Sequence, residues 1–282
     1  MPLYRPSELS AFLLTLGHRP KRTLSQNFLV DGNIVAKIIS ELDLHLGSLV
    51  IEIGPGPGVL TEACLAKGAA VIAIEKDEGF AHALRRFDHS GTQLTVVASD
   101  VLDCSFADLV GSRAPDDVVV ASNLPYHLTT PIIQKVVENS RLFSKAVLMV
   151  QDEVARRLTG GKACFLSCCV ECCADVHYAF PVPRGCFWPK PKVDSAILTF
   201  HIHPSIIPRV RQKQFFDLLR TAFSHRRKTV LHSLLGNFSR EILTVAFDRI
   251  GICHTSRPEE LSLNRWVELL NALYMEEAFV PP

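Results

Sequence analysis

The segment Asn123-Leu124-Pro125-Tyr126 combines residue types that could bind and orient the exocyclic amino group of a nucleobase. The N6 lone pair of adenine is delocalised into the ring, so this nitrogen attacks better when two acceptors hold its hydrogens out of the ring plane. The side-chain oxygen of Asn123 can be one acceptor. The carbonyl of Leu124, which the following proline biases to an extended conformation, can be the second. Tyr126 offers a face on which a base can stack, an interaction worth about 1–3 kcal/mol. The alternative is an Asx-type turn with a tyrosine packed in the core.

The elements around this segment predict where it lies. Residues 117–122 form an apolar run typical of a buried strand, and ligands of open α/β sheets bind at the carboxyl ends of strands. A second apolar run, 49–53, leads into a glycine-rich turn at 54–58. Its spacing is G-x-G-x-G, without the third glycine of dinucleotide-binding folds and without a Walker lysine. The loop therefore favours a nucleoside pocket over a phosphate cradle; a plain turn between strand and helix is the alternative.

Acidic residues lie at the ends of the neighbouring predicted strands. Glu52 lies in the strand before the glycine turn, Glu75 ends an apolar run at 69–74, and Asp100 follows another at 94–99. A carboxylate about 20 positions after a glycine loop typically binds ribose hydroxyls. A carboxylate at a third strand end can accept a hydrogen bond from an adenine amino group. Each acid by itself could be a helix cap or a surface group, but the series points to a nucleoside cofactor beside the amine pocket.

These residues resemble class I S-adenosylmethionine-dependent methyltransferases, and among them the ribosomal RNA adenine N6,N6-dimethyltransferase family of the KsgA type. The resemblance extends over about residues 21–235, and its motifs occur in the order of the family. One departure is Ser25, where many members have glycine. The matching segments are 21–29, 52–61, 123–126, 187–195 (F-x-P-x-P-x-V-x-S) and 223–229.

The resemblance implies a fold, a cofactor and a reaction. The expected fold class is α/β, with a Rossmann-like, mostly parallel sheet of seven strands and a small C-terminal helical domain. The expected reaction transfers methyl groups from S-adenosylmethionine to N6 of two adjacent adenosines near the 3′ end of small-subunit rRNA, within a pre-ribosomal small subunit and without a metal. The residues expected to act on the target base are Asn123, Leu124, Pro125, Tyr126 and Phe187, the two aromatic rings lying on either side of it. The residues expected to bind S-adenosylmethionine are Gln26, Asn27, Leu29, Glu52, Gly54, Gly56, Glu75, Asp100 and Asn123.

Charge is distributed unevenly along the chain. The net charge of +1 divides into +3 for residues 1–39, −5 for 40–204 and +3 for 205–282. Between 205 and 235 there are seven Lys or Arg and one acid, and apolar residues recur at near-helical spacing. A basic helix face would bind RNA phosphates in a salt-dependent way; a solvated helix face is the alternative. The residues predicted to bind RNA are Arg22, Arg220, Arg226, Arg227 and Lys228.

The hydrophobic pattern predicts two domains. Residues 1–204 are expected to form the methyltransferase domain with an N-terminal helical arm, and residues 205–282 a helical domain that binds RNA or the ribosome. Strands are predicted at 49–53, 70–75, 94–98, 117–122 and 145–150, followed by an antiparallel pair at 175–182 and 193–203. Helices of the C-terminal domain are predicted near 211–235, 238–250, 258–264 and 265–277.

The nine cysteines bear on the cell compartment and on metal binding. Five of them lie within 164–173, where spacings of i and i+4 favour one helix that uses cysteine as a small apolar residue. A metal site is the alternative, but a second C-x-x-C at zinc-ribbon distance is missing. The odd number of cysteines, with no signal-peptide pattern and no transmembrane-length run, favours a reducing cytoplasm. We therefore expect a cytoplasmic monomer that does not bind membranes.

Three other functions compete with this interpretation. A sister enzyme that modifies large-subunit rRNA and confers antibiotic resistance shares nearly every motif, although the 187–195 segment and the basic helix favour the KsgA type. A DNA adenine methyltransferase would usually carry a separate target-recognition region, and none is evident. The protein could also act chiefly as a ribosome-assembly factor whose role does not depend on catalysis.

Overall fold

The computed structural model describes residues 3–17, 26–88, 91–225 and 227–275. These residues fall into two compact units. The first comprises residues up to Thr159 together with Asp175–His203, and the second comprises Gly160–Ala174 together with the residues from Pro204 onward. The predicted boundary at residue 204 assigned 160–174 to the first domain, whereas this segment packs with the C-terminal unit.

Helices and strands alternate along the chain from α1 to α7, and α9 to α12 then follow one another without an intervening strand. The strands are β1 (Phe28–Leu29), β2 (Leu49–Ile53), β3 (Ala70–Glu75), β4 (Leu94–Ala98), β5 (Val118–Asn123), β6 (Lys145–Gln151), β7 (Ala174–Val182), β8 (Phe187–Trp188) and β9 (Ser195–Ile202). The α-helices are α1 (Pro6–Thr15), α2 (Gly32–Leu42), α3 (Val59–Ala66), α4 (Glu78–Leu84), α5 (Phe106–Val110), α6 (Thr129–Glu138), α7 (Asp152–Gly160), α8 (Phe165–Glu171), α9 (Arg209–Phe223), α10 (Val230–Leu234), α11 (Arg240–Ile250) and α12 (Leu263–Met275).

Seven strands form one sheet in the order β4-β3-β2-β5-β6-β9-β7. Strands β2 to β6 pair in parallel, and β9 runs antiparallel to β6. All five residues of β2 are buried, as expected for a central parallel strand covered by helices on both faces. The predicted α/β fold with a mostly parallel seven-stranded sheet is confirmed, and the five parallel strands lie within one residue of their predicted bounds.

The parallel pairing brings the predicted site residues to one edge of the sheet. Ile53 pairs with Ile74 in β3 and with Ser122 in β5, so the carboxyl ends of these three strands lie side by side. The glycine turn, Glu75 and Asn123 come directly at or after these ends. A separate two-stranded antiparallel ribbon forms between β1 and β8.

The C-terminal unit differs from its prediction at two helices. The prediction of one helix near 211–235 is wrong, because α9 ends at Phe223 and α10 begins only at Val230. The Thr229 hydroxyl accepts a hydrogen bond from the His232 amide and thereby caps α10. Arg227 and Lys228 therefore lie in a turn and not on a helix face. At the other end, α12 is one helix that follows a short 3₁₀ turn, Pro258–Glu260.

The cysteine-rich segment forms α8 and its flanks. Cys168, Cys169, Cys172 and Cys173 are buried as free thiols, which confirms the predicted packing role. Burial raises the pKa of Cys168 to about 12. Cys164 instead caps the helix, because its sulfur accepts a hydrogen bond from the Ser167 amide. Within the described ranges, no three His, Cys, Asp or Glu side chains are grouped so that they could hold a metal.

No helix among the described residues combines the length and the apolar character needed to span a bilayer.

Candidate active site at the carboxyl edge of the sheet

A cavity opens at the carboxyl edge of the sheet in the first unit. It holds about 1210 Å³ of space not filled by atoms, its open side included. The structure brings most of the predicted site residues together here. Those that line the cavity are Gln26, Asn27, Leu29, Glu52, Gly54, Gly56, Glu75, Asp100, Asn123, Leu124, Pro125 and Tyr126.

The glycine turn needs residues without a side chain. Gly54 and Gly56 have φ values of 67° and 53°, in the left-handed region that favours glycine. Gly58 has φ 91°, and a Cβ atom added there would lie 2.6 Å from both Leu84 and Phe87. The turn is therefore packed tightly against the end of α4 and the 3₁₀ turn that follows it, which the G-x-G-x-G spacing alone did not indicate.

Glu75 connects this turn to the end of β3. One carboxylate oxygen accepts a hydrogen bond from the Gly56 amide at 2.9 Å, and the other accepts one from the Asp77 amide at 2.8 Å. Burial raises the pKa of Glu75, and these backbone hydrogen bonds oppose the rise. Glu75 thus holds the loop in shape while it lines the cavity.

Glu52 is the most deeply buried acid of the site, with 1% of its surface exposed. Its carboxylate accepts a hydrogen bond from the Thr61 hydroxyl at 2.5 Å. Burial raises its pKa to about 7; the bond from Thr61 lowers the pKa and the charge of Glu75 raises it further. Near neutral pH this group therefore exchanges between its neutral and its charged form.

Asp100 is held differently from the other two acids. Its Oδ2 accepts a hydrogen bond from Lys76 Nζ at 2.8 Å, and its Oδ1 accepts one from the Leu102 amide at 2.9 Å. The bond from Lys76 is the main cause that lowers the pKa of Asp100. Asp100 is therefore the acid of the cavity that is most firmly ionised.

Asn123 is fixed by a contact across the cavity wall. Its amide nitrogen donates a hydrogen bond to the Asn27 carbonyl at 3.1 Å. This bond distinguishes the two ends of the amide group, so the acceptor Oδ1 lies on the side away from Asn27. The next residue, Leu124, is buried and donates its amide to the Met149 carbonyl at 3.1 Å. Both predicted acceptors of an amino group are thus attached to rigid elements.

Tyr126 begins a 3₁₀ turn, Tyr126–Leu128, that leads into α6. Its hydroxyl is hydrogen-bonded to the hydroxyl of Ser195 at 2.8 Å, and Ser195 is fully buried. Burial raises the pKa of Tyr126. The bond joins the 123–126 motif to the last residue of the 187–195 motif and anchors the hydroxyl end of the tyrosine side chain.

Sequence reasoning missed two partners at this site. Ser195 lies in a recognised motif, which could have marked it as a contact of the site. Asn27 was predicted to line the cofactor site, but the contact of its carbonyl with Asn123 was not predicted. Arg86 had no such signal: its guanidinium donates hydrogen bonds to the Pro57 and Ala83 carbonyls and lies 4.2 Å from the centre of the Phe12 ring. Burial lowers the pKa of Arg86 to about 10. This residue fixes the glycine turn from outside the cavity.

Phe187 departs from its prediction. It is 4% exposed and packs in the hydrophobic core, and it does not line the cavity. A ring enclosed by other side chains offers no face to a base. The expected stacking of Phe187 on the target adenine is therefore not what this arrangement provides.

The predicted RNA-binding residues are spread over the chain. Arg220, Arg227 and Lys228 lie in the C-terminal unit, where Arg220 forms an ion pair with Asp217 at 2.6 Å and lies over the ring of Phe165. Arg22 and Arg226 fall outside the described residues.

Comparison with known proteins identifies the family of this chain. The model of the ribosomal RNA adenine dimethylase family matches residues 17–274. The chain is 44% identical to a ribosomal RNA small subunit methyltransferase A from Protochlamydia amoebophila, over 98% of this chain and 99% of that protein. It is 38% identical to a protein of the same name from Chlamydia caviae, over 95% and 97% of the two chains.

Two solved structures share the fold over most of the chain. A dimethyladenosine transferase from Plasmodium falciparum superposes with a TM-score of 0.73 at 27% identity, covering 89% of this chain and 98% of that one. The 23S rRNA methyltransferase ErmE superposes with a TM-score of 0.63 at 25% identity, covering 88% and 99%.

Proposed function

Because the chain belongs to the ribosomal RNA adenine dimethylase family, we propose that it methylates N6 of two adjacent adenosines near the 3′ end of small-subunit rRNA. The protein is a methyltransferase that uses S-adenosylmethionine. One observation carries the assignment of the amine site: the Asn123 amide is fixed by the Asn27 carbonyl at 3.1 Å in a cavity that Glu75 and Asp100 also line.

The hydrogen-bonding groups that line the cavity fit S-adenosylmethionine. Glu75 and Asp100 each already accept backbone or lysine hydrogen bonds, and a carboxylate has lone pairs for further donors such as ribose hydroxyls or an adenine amino group. The turn leaves space at Gly54, where an added Cβ atom would meet nothing within 4 Å, and Gln26, Asn27 and Leu29 also line the cavity. When bound, the cofactor supplies a methyl group attached to a positively charged sulfur.

The chain's own residues would act by positioning. Asn123 Oδ1 and the Leu124 carbonyl would accept the two N6 hydrogens and so localise the lone pair toward the methyl group. Tyr126, with its hydroxyl held by Ser195, would stack on the base. The target adenosine must leave its stack to reach this pocket. No strong general base is needed, because the positively charged product can lose its proton after transfer. Proximity and orientation are therefore the main catalytic contribution.

Binding of RNA would involve the basic residues of the C-terminal unit. Arg220, Arg227 and Lys228 are exposed, and lysine and arginine at such positions neutralise phosphates without reading the base sequence. Arg22 and Arg226 belong to the same proposed set. We take the natural substrate to be a pre-ribosomal small subunit in the cytoplasm and the enzyme to be a monomer that needs no metal.

The test is transfer of tritiated methyl groups to three acceptors: unmethylated small subunits, naked small-subunit RNA and large-subunit RNA. We expect label in the small-subunit acceptors, at two adenosines that each receive two methyl groups. Label found in the large-subunit RNA alone would overturn the proposal and favour an activity like that of ErmE.

The proposal that catalysis matters for subunit maturation needs a separate experiment in cells. Asn123→Ala removes the proposed acceptor, and Asn33→Ala, at an exposed asparagine away from the cavity, is the matched control. We expect the control to support normal maturation and Asn123→Ala to fail. Normal maturation with Asn123→Ala would make the assembly role primary.

A further inference from the structure

The β1–β8 ribbon has two faces with different surroundings. Directly opposite residues of an antiparallel pair project to the same face, and here Leu29 pairs with Phe187 while Phe28 pairs with Trp188. Leu29 and Phe187 both pack into one core cluster, and Phe28 packs into another. Both Phe28 and Leu29 also line the cavity, so the ribbon borders it, and Trp188 lies directly opposite Phe28 in the ribbon. Trp188 is 37% exposed and therefore offers an aromatic surface next to a residue of the cavity wall.

The loop that follows Trp188 is held in place by its own hydrogen bonds. The Arg184 amide donates to the Asp194 carboxylate at 2.8 Å, and the Arg184 guanidinium donates to the Lys192 carbonyl at 3.2 Å. The next residue, Ser195, is bonded to Tyr126. Trp188 and the catalytic motif are thus connected through one short segment that these hydrogen bonds hold together.

The same loop has a strong positive charge. Residues 184–194 contain Arg184, Lys190 and Lys192 but only one acid, Asp194. The Asp194 carboxylate is engaged by the Arg184 amide. Both lysines are exposed. An exposed aromatic ring beside two exposed lysines matches a ligand that has a flat base and a phosphate.

We propose that Trp188, Lys190 and Lys192 form a platform for the nucleotide next to the target adenosine. The base of that nucleotide stacks on Trp188, and its phosphates lie against the two lysines. This deepens the proposed function and rests on it, because the platform serves a single-stranded segment whose neighbouring adenosine enters the cavity. Stacking of this kind tolerates any base, so the platform contributes to binding and register and not to reading of the sequence.

Tryptophan fluorescence tests the platform directly. The chain has two tryptophans, and Trp266 in the C-terminal unit is fully buried. Titration with a short single-stranded RNA that contains two adjacent adenosines should quench the fluorescence of the wild-type protein. The quench should be lost in Trp188→Phe, where only Trp266 emits. An equal quench in Trp188→Phe would overturn the proposal, as would no quench in the wild type at RNA concentrations that saturate binding.

Kinetics test the same platform by a different readout. Trp188→Ala should raise the KM for RNA about 10-fold, in line with the loss of one stacked base, while kcat and the KM for S-adenosylmethionine stay within about twofold. Trp188→Phe should restore most of the loss. Val193→Ala, at an exposed residue of the same loop, is the control and should change nothing. An unchanged KM in a correctly folded Trp188→Ala protein would contradict the proposal.

The lysines are tested by salt dependence. For single strands, each phosphate contact contributes about 0.7 to the slope of log affinity against log salt, so Lys190→Gln with Lys192→Gln should lower that slope by about 1.4. An unchanged slope would remove the lysines from the platform. Failure of the proposed function is distinguishable, since a wild-type protein that methylates no small-subunit RNA can still show the quench and the slope with the oligonucleotide.

Discussion

The polar groups of the cavity and those of the C-terminal unit differ in how far they are buried and held by hydrogen bonds. In the cavity, Glu52 and Glu75 are buried, and they and Asn123 are fixed by hydrogen bonds from or to other parts of the chain. In the C-terminal unit, Arg227 and Lys228 are exposed in a turn. Buried and fixed groups are suited to orient reacting atoms, whereas exposed charges supply attraction that salt weakens. The difference supports the proposal that the first region orients the reacting groups and the second attracts RNA.

The largest expected effect is on the pH dependence of folding stability, and it arises from the burial of the Glu52 carboxyl group. Its pKa of about 7 in the folded protein lies above its value in the unfolded chain, so the folded state binds the proton more tightly. Stability is therefore highest below the unfolded pKa and falls as the pH rises to about 7. The loss at pH 8 is on the order of 3 kcal/mol.

Urea denaturation of the wild type and of Glu52→Gln checks this. The variant keeps an acceptor for Thr61 but cannot ionise, so we expect it to be the more stable protein at pH 8 and to lose the advantage at pH 4. If the free energies of unfolding of the two proteins change with pH in parallel, Glu52 is not desolvated. The contrast between the buried acids of the cavity and the exposed cations of the C-terminal unit would then be weaker.

A smaller effect is expected where the glycine turn is packed. Gly58→Ala places a Cβ atom 2.6 Å from Leu84 and Phe87, and overpacking of this kind costs about 1–3 kcal/mol. Gly47→Ala is the matched control, because Gly47 has a similar φ of 98° but nothing within 4 Å of an added Cβ. Thermal unfolding should show a larger loss at Gly58. Equal losses would mean that only backbone strain matters.

The smallest effect per residue is expected in the C-terminal turn. Arg227→Gln with Lys228→Gln should lower the slope of log KM against log salt by about 1.4–1.8 and leave kcat unchanged. A double variant of Arg240 and Arg249, both exposed in the same unit, removes the same charge elsewhere. If that control lowers the slope equally, net charge and not the turn governs RNA binding.

The sequence predicted the sheet and its acidic edge well because both depend on local patterns. Apolar runs of five or six residues mark buried strands, and a polar residue that follows such a run lies at the carboxyl edge of the parallel sheet. Glu75, Asp100 and Asn123 were located in this way.

Other features depend on contacts between distant residues and could not be predicted. Phe187 is buried and Trp188 is exposed in a ribbon whose register is set by Phe28–Leu29, more than 150 positions earlier. The role of Arg86 depends on the fold bringing it to the Pro57 carbonyl. The helix break after Phe223 follows from a cap at Thr229, and apolar periodicity on both sides conceals it.

The central claim, that Asn123 orients the amine, is tested most directly by single-turnover methyl transfer with both substrates saturating. Misplacement of a reacting group by about 1 Å can cost about 100-fold, so Asn123→Ala should slow the step by at least that factor while the KM for RNA and its salt slope stay unchanged. Asn33→Ala should react like the wild type. A single-turnover rate for Asn123→Ala within about threefold of the wild type would contradict the account.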